Sequence, residues 1–374
     1  RITGCTRCLD VCPAAAILPD GDAVAIDPYI CGGCGSCHSV CPTGAASYQM
    51  TSSIALLQRL RSSLQTYHKA GGKAARLLLH DQSHGWPLIE AMARFGRGLP
   101  AAVIPFELNQ VTQVGVDFLV SAHAYGAQQV IILGNPAKRE DYSGLAQALG
   151  ICEALMSGLG HDSGASQLWM EQDPDTVETR LYDSPTSGER APGDFLPQAE
   201  RRTSLRLAAA QIQRAAPAPQ PIVALPPGAP HGSVNVDSEG CTLCLACVSA
   251  CPTGALRDNP DLPQLSFQED ACVQCGLCKN TCPEKVITLT PRYNFEATAQ
   301  SHQVLHEEEP FNCVRCGKAF GTKSTIEKMA ATLADKHAFF QGAAAERLKM
   351  CEDCRVIAQF EAEDEVMAGP PRPV

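Results

Sequence analysis

The sequence predicts an α+β multidomain chain in which two small cysteine-built modules flank a small parallel α/β domain, with a helical CxxC/CxxC metal site toward the C-terminal end. Three observations predict it. The twenty cysteines fall almost entirely into tight CxxC groups. One cysteine-rich module occurs twice, and between the copies the pattern changes to alternating helices and apolar strands.

The cysteine usage comes first because it decides between disulfides and metal. Disulfide frameworks scatter cysteines among loops, whereas these recur at two-residue spacing, often with Pro following, and so read as metal ligands. Thiolates kept for metal imply a reducing, cytoplasmic setting. The net charge of -10, from 40 acidic and 30 basic residues, argues against nucleic-acid binding and favours a partner with a basic face. No apolar run is long enough to span a membrane. The chain begins with Arg1 rather than Met, which is read as the start of a fragment.

The repeat pairs "CTRCLDVCPAAAI" and "CGGCGSCHSVCPTGAA" in residues 5–46 with "CTLCLACVSACPTGAL" and "CVQCGLCKNTCPEKVI" in residues 241–290. Three of these four runs are complete C-x2-C-x2-C-x3-C-P motifs. The first lacks its leading cysteine, with Ile2 in that position. Structural zinc or free buried thiols explain a complete motif less well than iron–sulfur ligation, because the proline follows the last cysteine every time.

From Ser53 to Gly160 the pattern is that of an α/β domain. "SIALLQRLRSSLQTYHKAGG" reads as a helix ended by glycines, "ARLLLH" as a strand, "WPLIEAMARF" as a helix and "AAVIPF" as a strand. "VTQVGVDFLVSAHAYGA" places Val111, Val114, Phe118 and Ala122 on one helical face. "QQVIILG" is a continuous apolar strand, and "DYSGLAQALGICEALMSGL" a last helix. Strands without polar alternation, separated by helices, indicate a parallel sheet covered on both faces. "ILGNP" has neither the glycine pattern nor the lysine of a phosphate-binding loop, so a nucleotide or flavin rests on fold analogy alone. Cys152, in "GICEALM", reads as a small buried hydrophobe, and His38 as a solvated spacer ahead of a sulfur-bonding role.

Residues 173–230 hold ten of the 27 prolines, interrupted by "TSLRLAAAQIQRAA", a helix capped by Thr203 or Ser204. This reads as an extended linker with one docked helix. Further on, Cys313, Cys316, Cys351 and Cys354 form two CxxC pairs, and the glycine after Cys316 lets backbone amides turn toward the sulfurs. Four thiolates and no open position suit structural zinc, ahead of a rubredoxin-type iron or another cluster. The intervening "STIEKMAATLADKHAFFQGAAAERLKM" reads as helical with Met329, Leu333 and Phe339 in a core, "HEEEP" as a solvated face, and "EAEDEVMAGPPRPV" as a frayed tail. The resulting division is 1–50 first module, N-terminally incomplete; 51–160 α/β domain; 161–236 linker; 237–295 second module; 306–360 CxxC–CxxC domain; and 361–374 tail.

On these motifs, residues 2–50 and 238–292 resemble the bacterial two-cluster ferredoxin family, duplicated here as a polyferredoxin. The resemblance implies three complete [4Fe-4S] sites: Cys241, Cys244, Cys247 and Cys282; Cys272, Cys275, Cys278 and Cys251; and Cys31, Cys34, Cys37 and Cys12. It leaves Cys5, Cys8 and Cys41 as a fourth, incomplete site. That site is open to three readings: a [3Fe-4S] cluster, a further ligand from upstream of Arg1 or elsewhere in the fold, or an empty or labile site. A further ligand is the expectation adopted.

"IPFELNQVTQVGVDFLVSAHAYGAQQVIILG" resembles the small iron–sulfur delta-subunit domain that accompanies some hydrogenases and heterodisulfide reductases, though without its cysteines. The resemblance implies a docking or spacing role. The architecture also resembles iron–sulfur proteins found beside molybdenum formate dehydrogenases. With no Ser/His/Asp or paired-carboxylate constellation standing out, the expectation is an electron-transfer subunit relaying single electrons between an oxidoreductase, such as formate dehydrogenase, and an acceptor. The alternative is a redox or iron sensor, or a metalloenzyme assembly factor.

Overall fold

The structure is a computed structural model that describes residues 4–21, 23–184, 190–336 and 343–367. It divides into two compact units.

The first unit comprises Arg1–Ser233, Val273–Cys275 and Pro291–Glu296. It opens with α1 (Arg7–Asp10), the antiparallel hairpin of β1 (Ile17–Asp20) and β2 (Ala23–Ile26), and α2 (Ser36–Val40). An α/β domain follows: α3 (Ser53–Lys69), β3 (Arg76–His80), α4 (Gly85–Phe95), β4 (Val103–Glu107), α5 (Val116–Ala124), β5 (Gln129–Gly134) and α6 (Ser143–Gly158). Ser52 caps α3 by accepting from the Ala55 N–H.

The strands make a parallel sheet in the order β4-β3-β5-β6, with β6 (Ser166–Met170) at one edge. Alternate residues of each strand serve opposite faces. Leu78, Ile131 and Leu133 pack with Leu88, Ile89 and Met92 of α4 and with Val177 and Leu181 of α7 (Pro174–Asp183). Leu77, Leu79, Val130 and Ile132 pack on the other face against α3, α5, α6 and α8 (Arg201–Arg214). Covering on both faces is what continuous apolar strands require.

Residues 161–236 are richer in regular structure than an extended linker. β6 joins the sheet, α7 covers one face, and α8 lays Leu205, Ala208, Ala209 and Ile212 into the main core. β7 (Ile222–Ala224) pairs antiparallel with residues 292–294. Helix α8 also starts earlier than expected: Ser204 Oγ, rather than capping it, donates to Gln198 O at 2.8 Å.

The single helix expected over 111–127 is interrupted. Val111–Gln113 form a 3₁₀ turn, Val114 and Gly115 are extended, and α5 begins at Val116. Val111, Val114, Phe118 and Ala122 are nevertheless all buried. The break lies where the backbone meets Arg201, since a Cβ at Gly115 would stand 2.4 Å from Arg201 Nη2 and 2.8 Å from Ser39 O.

The second unit comprises Val234–Cys272, Gly276–Thr290 and Ala297–Val374. Its elements are the end of β8 (Gly232–Val236), α9 (Ala246–Ser249), β9 (Leu256–Asp258), β10 (Gln264–Phe267), α10 (Leu277–Thr281), β11 (Ile287–Asn294) up to Thr290, and β12 (Gln303–Glu307). β12, β10 and β9 form an antiparallel sheet. Val234, Leu243, Leu256, Leu265, Phe267 and Ile287 form a small core with Cys247, Cys272 and Cys278.

The hairpin of β13 (Pro310–Asn312) and β14 (Ala319–Thr322) leads into α11 (Lys323–Lys336), α12 (Ala343–Leu348) and α13 (Glu352–Met367). Thr322 Oγ1 donates to Thr242 O at 3.0 Å, tying the hairpin to the cysteine module. Glu308 of the expected solvated run instead meets His306 Nε2 at 2.9 Å and accepts from the Ser324 N–H at the start of α11. Met329, expected in a core, is 44% exposed; among the residues of that helix whose burial is described, Ile326 is the buried one. Phe339 lies outside the described residues. The expected frayed tail is helical as far as Met367, and the rest of it lies outside the described residues.

Candidate metal centres

Each cysteine run folds into the same two pieces of backbone. In the three complete C-x2-C-x2-C loops, the residues flanking the second cysteine have left-handed backbone: Gly33 and Gly35 around Cys34, Leu243 and Leu245 around Cys244, Gln274 and Gly276 around Cys275. A short helix then carries the third cysteine: α2 holds Cys37, α9 Cys247 and α10 Cys278. After every Cys-Pro, the third residue beyond the cysteine is again left-handed: Ala15, Gly44, Gly254 and Lys285. Such alternation of backbone handedness turns consecutive N–H groups inward and makes an anion-binding concavity. At two of these turns the amides reach sulfur, with Ala16 N donating to Cys12 Sγ at 3.3 Å and Ala46 N to Cys41 Sγ at 3.4 Å. Leucine, glutamine, alanine and lysine in this conformation are strained. Their recurrence at fixed offsets from cysteine indicates that the turn is demanded by what the sulfurs hold.

The cysteines of two of the implied sets line a common space. Cys12, Cys31, Cys34 and Cys37 line one cavity of about 380 Å³ in the first unit. Cys241, Cys244, Cys247 and Cys282 line one tight cleft in the second. Burial, with the neighbouring Cys34 adding to it, pushes the Cys37 thiol up to about 11, and burial with Cys241 and Cys244 does the same for Cys247. Thiols so crowded resist ionising together, and bound iron relieves that repulsion because a coordinating thiol is deprotonated outright. The donor set therefore fits an iron–sulfur cluster. Of the third set, Cys272 and Cys278 belong to the core of the second unit and Cys251 packs against it.

Cys5, Cys8 and Cys41 stand close enough that the Cys8 thiol is raised by burial and then by Cys41 and Cys5. Burial also acts on Cys41, but the Ala46 N–H and the Thr43 hydroxyl and amide outweigh it and hold that thiol below its ordinary value. The loop before Cys8 departs from the other three: Thr6 has φ -107° where the complete motifs are left-handed. Arg7 Nη1 donates to Cys5 Sγ at 3.4 Å.

The C-terminal pairs form the most clearly closed site. Sγ atoms of Cys313, Cys316, Cys351 and Cys354 all lie within 4.8 Å of one another. A tetrahedral Zn–S₄ centre with bonds near 2.3 Å places its sulfurs about 3.8 Å apart. Cys316 Sγ and Cys351 Sγ are 3.7 Å apart. Gly317, at φ 74°, makes the knuckle. Burial opposes ionisation of Cys313, yet amides of Cys316, Cys351 and Arg315 outweigh it and lower that thiol to about 6. Lys318–Asp353 and Arg315–Glu361 ion pairs join the hairpin to α13.

Cys152 is fully buried, with burial pushing its thiol up to about 12. His38 is neither a solvated spacer nor a partner of sulfur. It is 6% exposed and its ring meets Ala46 O at 3.1 Å and Ser53 Oγ at 3.2 Å. Arg201, which donates to Cys41 O, and its ion-pair partner Asp117 were not evident as site residues. A lone Asp within the apolar run of α5 was the available signal, because buried carboxylates are rare unless paired.

Comparison with known proteins agrees with the two modules. Residues 3–45 and residues 240–287 each match the 4Fe-4S dicluster domain, so these segments are 4Fe-4S dicluster ferredoxin domains. Over 57 residues, 15% of this chain, the sequence is 35% identical to the pyruvate synthase subunit PorD of Thermotoga maritima. The chain spans 57% of that relative's length. Among the described residues no helix is long and apolar enough to cross a membrane.

Proposed function

We propose that the chain is a cytoplasmic polyferredoxin that relays single electrons between an oxidoreductase and an acceptor. The observation that carries this reading is the recurrence of one Cys-Pro turn at Cys12, Cys41, Cys251 and Cys282, each with a left-handed third residue. In the proposed assignment Cys12, Cys31, Cys34 and Cys37 hold one [4Fe-4S] cluster. Cys241, Cys244, Cys247 and Cys282 hold a second, and Cys251, Cys272, Cys275 and Cys278 a third. Cys5, Cys8 and Cys41 hold a fourth centre, and Cys313, Cys316, Cys351 and Cys354 hold zinc. The clusters supply one-electron redox chemistry. The chain's own part is to hold the sulfurs, aim amides at them and restrict water. The parallel α/β domain is the docking or spacing element.

Two donors are supported by different observations. The order of modules favours a molybdenum formate dehydrogenase, and the PorD relative favours an enzyme of the pyruvate synthase kind. The test presents anaerobically loaded chain to each enzyme with its substrate and follows bleaching of the visible cluster absorbance. Rapid bleaching by one donor, restored on oxidation with no loss of iron, is expected. Iron release or a large conformational change at each cycle would favour a sensor or assembly factor instead.

A further inference from the structure

Arg201 and Asp117 form an ion pair inside the first unit, 8% and 6% exposed. The pairing is bidentate: Arg201 Nε donates to Asp117 Oδ2 at 3.0 Å, and Nη2 to Oδ1. The remaining nitrogen, Nη1, donates to His38 O and to Cys41 O, the latter at 3.0 Å. The guanidinium thus closes over the carbonyls at the end of α2, one of them on Cys41 itself. Burial raises the Asp117 carboxyl, but Arg201 outweighs this and keeps it ionised.

A purely structural role is a poor account of this arrangement. Burying two charges costs several kcal/mol per ion, and well-packed apolar residues of similar size often serve a core as well or better. The backbone has also been cleared for it, since any Cβ at Gly115 would strike Arg201 Nη2. A fixed charge beside an iron–sulfur centre has a specific effect. Reduction adds one negative charge, so a nearby cation stabilises the reduced form and a nearby anion the oxidised form, with little screening in a buried site.

We propose that Arg201 and Asp117 are positioning residues that set the reduction potential of the centre held through Cys41, the guanidinium raising it and the carboxylate limiting the rise. The proposal rests on the reading that Cys5, Cys8 and Cys41 hold a centre. In the titration that centre takes one electron from dithionite.

The test is an anaerobic redox titration of the full loaded chain, followed by electron paramagnetic resonance, with Cys8→Ser marking which signal belongs to the site. Arg201→Gln leaves an uncompensated buried carboxylate and is expected to lower the midpoint of that signal. Asp117→Asn leaves an uncompensated cation and is expected to raise it. Arg201→Lys should lie nearer the parent than Arg201→Gln. Shifts of opposite sign distinguish tuning from general damage, which has no reason to reverse direction between partners. Should Arg201→Gln fail to fold, a raised midpoint in Asp117→Asn still supports the proposal and an unmoved one overturns it. Shifts of the same sign, or none at parental iron content, overturn it too. If Cys8→Ser removes neither iron nor any signal, the reading beneath falls and takes the proposal with it.

Discussion

Cys316 Sγ and Cys351 Sγ stand 3.7 Å apart although 34 residues separate them, one on the knuckle after β13 and the other at the entrance to α13. This is too long for a disulfide and close to the edge of a sulfur tetrahedron around zinc. Among the described residues few apolar contacts hold this segment: Val314, Met329 and Val356 are all exposed. On the proposed assignment, metal binding supplies much of its folding free energy.

Replacing Cys313 and Cys316 by Ser should accordingly remove one zinc per chain and expose the C-terminal segment to protease, leaving the visible cluster absorbance unchanged. Elemental analysis with limited proteolysis checks this. A variant that keeps its zinc, or loses a cluster's worth of absorbance instead, would rule out the assignment.

Iron content follows from counting sulfurs. Three complete sets of four cysteines require about twelve iron atoms per chain, with more if Cys5, Cys8 and Cys41 are loaded. Fewer than about eight in a fully reconstituted anaerobic sample would contradict the ligand sets.

Legibility in the sequence divided along physical lines. The dicluster modules were readable because iron ligation fixes cysteine spacing, and the inner strands because burial on both faces leaves an unbroken apolar run such as "RLLLH" or "QVIILG". β6 was not: as an edge strand it buries only Trp169, and "SQLWM" carries neither alternation nor an apolar run. Val111, Val114, Phe118 and Ala122 are all buried, but they do not share one helical face: Val111 sits in a 3₁₀ turn, Val114 is extended and α5 begins only at Val116, at the place where the backbone of Gly115 lies close to Arg201. Arg201 itself could not be singled out, since an arginine opening a helix among prolines looks solvated until the tertiary fold buries it.

That close approach makes Gly115 sensitive. An alanine Cβ would lie 2.4 Å from Arg201 Nη2 and 2.7 Å from Asp117 Oδ1, inside any real contact distance. Gly115→Ala should destabilise the first unit by about 1–3 kcal/mol through overpacking. Denaturant unfolding followed by tryptophan fluorescence reports on that unit, because Trp86 and Trp169 are the two tryptophans of the chain. An unchanged midpoint would mean that the backbone moves aside freely.

Acid should weaken the same unit through His123. Its ring is fully buried on α5, where Nδ1–H donates to Ala127 O at 3.0 Å and Nε2 accepts from Ser166 Oγ at 2.8 Å, an arrangement that suits the neutral ring. Burial first, and then the positive charge of Arg190, lower its pKa from 6.5 to about 3. The unfolded chain therefore binds a proton between those values that the folded chain refuses. The sign follows: stability from this group is fully present above 6.5 and is lost progressively as the pH falls toward about 3, with a slope of up to roughly 1.4 kcal/mol per pH unit. His123→Gln keeps a polar group for Ser166 without the titration, so its unfolding midpoint should fall less steeply with acid than the parent's. His231, also buried and held well below its ordinary value by burial and by Arg202, leaves a residual slope in both proteins. Equal slopes for parent and variant across the mildly acidic range would show that His123 does not carry the acid sensitivity.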